Sequence, residues 1–163
     1  MIVVLTFSSG IATWSGFCAL GSGGTLAGLL AGHAAEGVRG EVWGVRVTPR
    51  IAVPSMRVRA LARAVLRRAA VDARCPPVRV FEGALGEGYG RSTPEGDFAR
   101  DLFARDGITL DDTYTAKAAA GLIALARRVP RRYLLWHTLS SAPLEPLMQR
   151  EANLDPALRV LLR

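Results

Sequence analysis

The sequence predicts an α/β fold, a three-layer, open and mostly parallel sheet with helices on both faces. Three observations predict it. Short apolar runs alternate with helical patterns along the chain; a glycine-rich turn stands where an early run gives way to a helix; and no internal repeat or low-complexity tract interrupts the series. At 163 residues, half of them hydrophobic, the chain has room for one domain with a real core.

The elements follow in order. Phe17–Leu20 reads as a strand and residues 25–36 as a helix. Val42–Val47 (VWGVRV) is a buried strand, and residues 54–74 form a long helix opened by Pro54 and Ser55. In that helix Arg59, Arg63 and Arg67 fall at i, i+4 and i+8. Val58, Leu61, Ala62, Val65 and Leu66 make the opposing stripe, the signature of an amphipathic surface helix. Val78–Phe81 is a third strand, followed by the loop GALGEGYGRSTPEG. A helix over about 94–106 starts from Thr93 as cap, with Pro94 at its first position. Residues 113–128 make another helix and Tyr133–Trp136 a last core strand. Residues 1–14, MIVVLTFSSGIATW, are apolar without clean periodicity and are broken at Ser8-Ser9-Gly10. They read as an irregular or truncated segment, as an edge strand and loop, or as a stretch whose partner is missing. Residues 15–163 read as the α/β unit.

Charge and composition remove several function classes. The formal charge is +7, but Lys117 is the only lysine, and the arginines are spread from Arg39 to Arg163. Without helicase, zinc-finger or RNP-type signatures, a solvated basic face explains them and no nucleic-acid partner is expected. No run reaches membrane-spanning length, and MIVVLTF lacks the basic start of a secretory leader, so no membrane partner and a cytoplasmic location are expected. Cys18 and Cys75 are isolated thiols without metal spacing.

The loop Gly21-Ser22-Gly23-Gly24-Thr25 has the chemistry of an anion site. A helix N-terminus presents unpaired amides, glycines let the backbone approach closely, and Ser22 and Thr25 add hydroxyls. A ligand-free tight turn remains an equally open reading of the glycines alone. No lysine follows the loop, which excludes a P-loop. Leu26 stands where the dinucleotide fingerprint needs glycine, and Leu20 where a hydrolase elbow does. A small phosphorylated ligand or cofactor survives.

Four stretches together carry a resemblance: GSGGTLAGLLAG from Gly21, the GYG of residues 88–90, ITLDDTYTAKAAAGLI from Ile108, and YLLWHTLSSAP from Tyr133. They resemble the D-cysteine desulfhydrase and 1-aminocyclopropane-1-carboxylate deaminase family, pyridoxal-phosphate enzymes of the tryptophan-synthase β type (fold type II). The family loop reads GSGGT-x-AGL and its later motif LDPVYTGKA. This chain departs from the latter at Asp112, Thr113 and Ala116, and from the usual closing His-Thr-Gly-Gly at Leu139 and Ser140. The resemblance covers about residues 18–143, in order, and the motifs are specific as a set.

The resemblance implies the large-domain fold of these enzymes, here incomplete, and a lyase or deaminase acting on a small amino acid. It implies that Gly21, Ser22, Gly23, Gly24 and Thr25 hold the phosphate of pyridoxal 5'-phosphate. It places Thr115 at the pyridine nitrogen, where the deaminase branch carries glutamate, and so points to the desulfhydrase-like branch. Tyr89 and Tyr114 match the two active-site tyrosines. The family's cofactor-bearing lysine follows an asparagine well ahead of the glycine loop. This chain's only asparagine is Asn153, and Lys117 matches a different family position. The expectation is therefore a fragment, with any cofactor bound non-covalently and no catalysis by this chain alone. The absent half would come from a missing N-terminal portion or a homo-oligomer partner. The alternative is a non-catalytic domain that binds a phosphorylated ligand or another protein.

Overall fold

The computed structural model describes residues 2–6, 14–129 and 131–138. Its single sheet has five strands: β1 (Ile2–Thr6), β2 (Trp14–Leu20), β3 (Glu41–Arg46), β4 (Arg79–Phe81) and β5 (Arg132–Trp136), in the order β1-β5-β2-β3-β4. Strands β5, β2, β3 and β4 are parallel, and only β1 runs antiparallel, against β5. Among the described residues there are four helices: α1 (Gly24–Ala35), α2 (Ser55–Arg68), α3 (Pro94–Ala104) and α4 (Thr115–Ala126).

Parallel strands need both faces covered, and β2 supplies the two apolar sets by alternation. Phe17 joins Val45, Tyr133 and Leu135 in a core closed by α3 and α4. Cys18 and Leu20 join Val42, Leu26, Leu30 and Val58 in a second core under α1 and α2. At Gly121 an added Cβ would stand 2.7 Å from Val45 Cγ2, so the missing side chain lets α4 seat directly on β3. The chain winds β2-α1-β3-α2-β4 to one side of β2, then crosses by α3 and α4 to β5 on the other. The order therefore reverses beside β2. In open α/β sheets the crevice beyond the strand carboxyl ends at such a reversal is where ligands bind.

Most expected elements appear within two or three residues of their expected ends. The helix expected over 54–74 is the main correction: α2 stops at Arg68. Val71 N–H donates to Leu66 O (3.0 Å) and Ala70 N–H to Arg67 O (3.1 Å), with Ala70 at φ 53°. This C-terminal cap normally uses glycine; with alanine in its place the sequence carries no stop signal. Of the readings open for residues 1–14, an edge strand is found at Ile2–Thr6; Trp14 begins β2 instead of ending that segment, and residues 7–13 lie outside the described residues. The part of the expected unit beyond Thr138, with Leu139 and Ser140, lies outside them as well. Among the described residues no helix is long and apolar enough to cross a membrane, and no group of side chains has the make-up of a metal site.

Candidate functional site

A cavity of about 690 Å³ opens at the reversal beside β2. Its lining comes from the carboxyl ends of three strands and from two loops. Ala19, Gly21, Ser22, Gly23 and Thr25 follow β2; Thr48, Ala52 and Val53 follow β3; Thr138 follows β5. Tyr89 from the β4–α3 loop and Tyr114 from the entrance of α4 close the other side. The tyrosines are the only titratable side chains in this lining.

The glycine end is built from backbone. Strand β2 ends at Leu20, Gly23 is the N-cap of α1 at φ 90°, and no side chain caps the helix. Ala27 N–H donates to Gly23 O at 2.9 Å, so the ladder begins there and the amides of Gly24, Thr25 and Leu26 have no intrahelical acceptor. The Thr48 hydroxyl donates to Gly21 O (3.2 Å), tying the loop to the end of β3. Arg46, 2% exposed, braces the same wall: its Nε donates to Glu82 (2.6 Å) and Nη1 to Val53 O (3.0 Å). A Cβ on Gly23 would stand 3.1 Å from both Val53 and Val58. On Gly24 it would meet only Ser22 Oγ, at 3.8 Å, so the mouth of the helix is open. Bare amides, a helix dipole and two exposed hydroxyls fit a phosphate group.

The tyrosine end is built from side chains. The hydroxyls of Tyr89 and Tyr114 are hydrogen-bonded to each other, with the rings edge-on at a centroid distance of 5.9 Å. Tyr114 also leans over the glycine loop: a Cβ on Gly21 would stand 3.1 Å from its Cε1. Its hydroxyl titrates above the ordinary tyrosine range, first because of the hydrogen bond to Tyr89, then through desolvation and the negative charges of Tyr89 and Asp111.

Thr115 is placed differently from the expectation. It is buried, absent from the cavity lining, and its hydroxyl faces Asp111. It donates to Asp111 Oδ2 (2.5 Å) and accepts from Asp111 N–H (2.7 Å), while Asp111 Oδ1 and Oδ2 accept from the amides of Tyr114 (2.7 Å) and Thr115 (3.0 Å). The pair forms a reciprocal cap on α4. Burial alone would raise the Asp111 carboxyl. The hydrogen bonds from the Thr115 hydroxyl and from the amides of Thr115, Tyr114 and Thr113 outweigh that and hold it below the ordinary range. The structure thus gathers Gly21, Ser22, Gly23, Thr25, Tyr89 and Tyr114 around one cavity. Gly24, the exposed first residue of α1, and the buried Thr115 are not among the lining residues.

Thr48 and Thr138 were not among the expected site residues. No local motif marks Thr48, which only its position just past the end of β3 signals, whereas Thr138 is the threonine of the closing His-Thr motif. Lys117 does not reach the cavity. Its side chain turns to the β4–α3 loop, where Nζ donates to Leu85 O and Gly88 O.

No family model matches the chain. The chain is similar to the D-cysteine desulfhydrase of Klebsiella pneumoniae (strain 342), 38% identical over 106 residues, which are 64% of this chain and 32% of that protein. It is also similar to a putative 1-aminocyclopropane-1-carboxylate deaminase of Pyrococcus abyssi, 31% identical over 111 residues, 68% of this chain and 33% of the relative. A crystal structure described as an ACC deaminase homologue matches with a TM-score of 0.64 at 29% identity, over 74% of this chain and 37% of the other. The chain spans about a third of the length of the curated relatives it matches. Over that third the chain is similar in sequence and in fold to these relatives, and it belongs, as a partial chain, to the D-cysteine desulfhydrase and 1-aminocyclopropane-1-carboxylate deaminase family of pyridoxal-phosphate enzymes.

Proposed function

We propose that this chain is the phosphate-cradling part of a desulfhydrase-like pyridoxal-phosphate lyase or deaminase acting on a small amino acid. On its own it binds the cofactor non-covalently and does not turn over. The observation that carries this reading is that the glycine cradle and the tyrosine pair line one cavity at the carboxyl end of β2. A volume of about 690 Å³ is in the range of cofactor sites.

The phosphate end fits the cofactor. The amides of the Gly21–Thr25 turn and the hydroxyls of Ser22 and Thr25 would hold the phosphate, with Thr48 fixing the loop behind them. When bound, the cofactor supplies an electron sink for charge developing at a substrate carbon. The covalent end is not matched, since no amine stands among the lining residues and the only lysine donates elsewhere. Thr115, committed to Asp111, is left out of the cofactor contacts.

The tyrosine pair does the proton work in this reading. A hydroxyl held above its ordinary range stays protonated at neutral pH, so Tyr114 Oη is a proton donor that Tyr89 Oη can resupply. Gly21, by having no side chain, lets the Tyr114 ring rest over the cradle. Turnover then needs an amine from outside this sequence, supplied by a missing N-terminal portion or by a partner chain. A cytoplasmic location belongs to the same proposal.

The test is an assay of the purified chain with D-cysteine and related amino acids for sulfide, ammonia and pyruvate. No turnover above a blank is expected with added pyridoxal 5'-phosphate. Turnover that persists through purification would sink the proposal, and borohydride trapping of the cofactor on Lys117 would make Lys117 catalytic.

A further inference from the structure

Lys117 has a task that the cavity chemistry does not account for. It sits in the first turn of α4, fully buried, and its Nζ donates to Leu85 O at 2.8 Å and to Gly88 O at 2.9 Å. None of the ion pairs among the described residues includes it. Burying an ammonium without a counter-ion is unfavourable unless its protons find acceptors. Here both acceptors are main-chain carbonyls of one loop, the second belonging to the residue before Tyr89.

Within the loop itself, Arg91 N–H donates to Gly88 O at 3.4 Å, a long turn bond that leaves the segment's seat on α4 to Lys117. Gly86, Gly88 and Gly90 have φ of 63°, 151° and 75°, so their backbone conformations are ones that other residues rarely adopt. Added Cβ atoms at Gly88 and Gly90 would meet nothing within 4 Å. Tyr89 itself is 54% exposed, and its hydroxyl partner is Tyr114. Ala84 and the contact of Thr93 with Gly86 anchor the two flanks of the loop, and Lys117 is the tie in its middle.

We infer that Lys117 is a positioning residue, clamping the Leu85–Gly88 backbone to α4 and so setting the Tyr89 hydroxyl on that of Tyr114. Tyr114 stands three residues before Lys117, at the N-cap of the same helix. One helix entrance thus carries both the clamp and the hydroxyl that the clamped loop must meet. The geometry is independent of any cofactor; its catalytic meaning rests on the proposed reading of the cavity.

The test uses the full chain without ligand, so its failure is separate from failure of cofactor binding. The chain holds a single lysine and three tyrosines, so ¹⁵N-lysine and ¹³Cζ-tyrosine NMR give few and assignable signals. In the wild-type chain the Nζ protons of Lys117 are expected to exchange slowly and to show Overhauser contacts to Leu85 and Gly88. In Lys117→Met the Tyr114 titration should fall towards the ordinary tyrosine value, as is also expected in Tyr89→Phe. Tyr133, in the core under α4, serves as the reference. Tryptic cleavage after Arg91, at the end of the loop, should become about tenfold faster in Lys117→Met, and cleavage after Arg39 should not, as expected for local opening after loss of a charged hydrogen bond. A fast-exchanging ammonium without loop contacts in the wild type overturns the inference even if the variant fails to fold. So does a folded Lys117→Met whose Tyr114 titration and Arg91 cleavage match the wild type.

Discussion

The two ends of the cavity are built by different means. The glycine end is made by consecutive residues: a strand stops at Leu20, a turn follows, and a helix begins at Gly24, so its functional groups are main-chain amides. The tyrosine end is assembled from residues 25 positions apart, Tyr89 and Tyr114, and is held by polar contacts of Lys117, Asp111 and Thr115 that never reach the cavity. Backbone sites are robust to loss of a side chain and sensitive to gain of one. Side-chain sites have the opposite weakness. Three substitutions press on that difference.

Gly23→Ala carries the largest expected cost. It places a Cβ 3.1 Å from Val53 and Val58 at φ 90°, and left-handed strain at a non-glycine residue alone costs about 1–3 kcal/mol. Denaturant unfolding measures it; an unchanged midpoint would mean that the turn is not held as described.

Thr115→Val should cost about 1–2 kcal/mol, as for a lost helix cap, and should leave phosphate binding unaltered. It also changes the acid limb. Asp111 is held below its ordinary range, so its contribution is present above the unfolded-state carboxylate value and lost as pH falls through the lower folded value. The variant should therefore lose stability at neutral pH but show a smaller further loss on acidification. Cofactor affinity that collapses in Thr115→Val, with stability intact, would return this hydroxyl to the pyridine nitrogen.

Ser22→Ala is expected to do least. The hydroxyl is exposed, so stability should stay within about 0.5 kcal/mol of wild type. Affinity for inorganic phosphate, read by calorimetric titration, should weaken only a few-fold if amides carry the site. A complete loss would make the cradle a side-chain site like its opposite end.

The same contrast explains what could be read from the sequence. Strand, glycine turn and helix are local patterns, so the end of β2, the turn and α1 are legible to within a residue although β2 starts three residues before Phe17, and Thr93-Pro94 marks the start of α3. Tyr89 and Tyr114 were found through motif resemblance, since nothing local says that residues 25 apart share a hydrogen bond. The Asp111–Thr115 cap is not announced by residue types, because it rests on the Thr115 hydroxyl turning back to Asp111 instead of towards the cavity. The Lys117 clamp depends on carbonyls 29 and 32 residues away, which no periodicity encodes. The end of α2 was misplaced because Ala70 adopts a conformation that glycine usually announces.

The central claim is that the mouth of α1 holds the phosphate of the cofactor without a covalent bond. Calorimetric titration of the purified chain with pyridoxal 5'-phosphate and with pyridoxal, followed by borohydride reduction and mass spectrometry, tests it most directly. The account predicts binding of the phosphorylated form alone and no reduced adduct at Lys117. It also predicts loss of binding in Gly24→Asp, where a carboxylate enters an open helix mouth that tolerates its Cβ and gains from its charge, so that the fold is kept. Equal affinity for pyridoxal, undiminished binding in Gly24→Asp, or a stoichiometric adduct on Lys117 would contradict it.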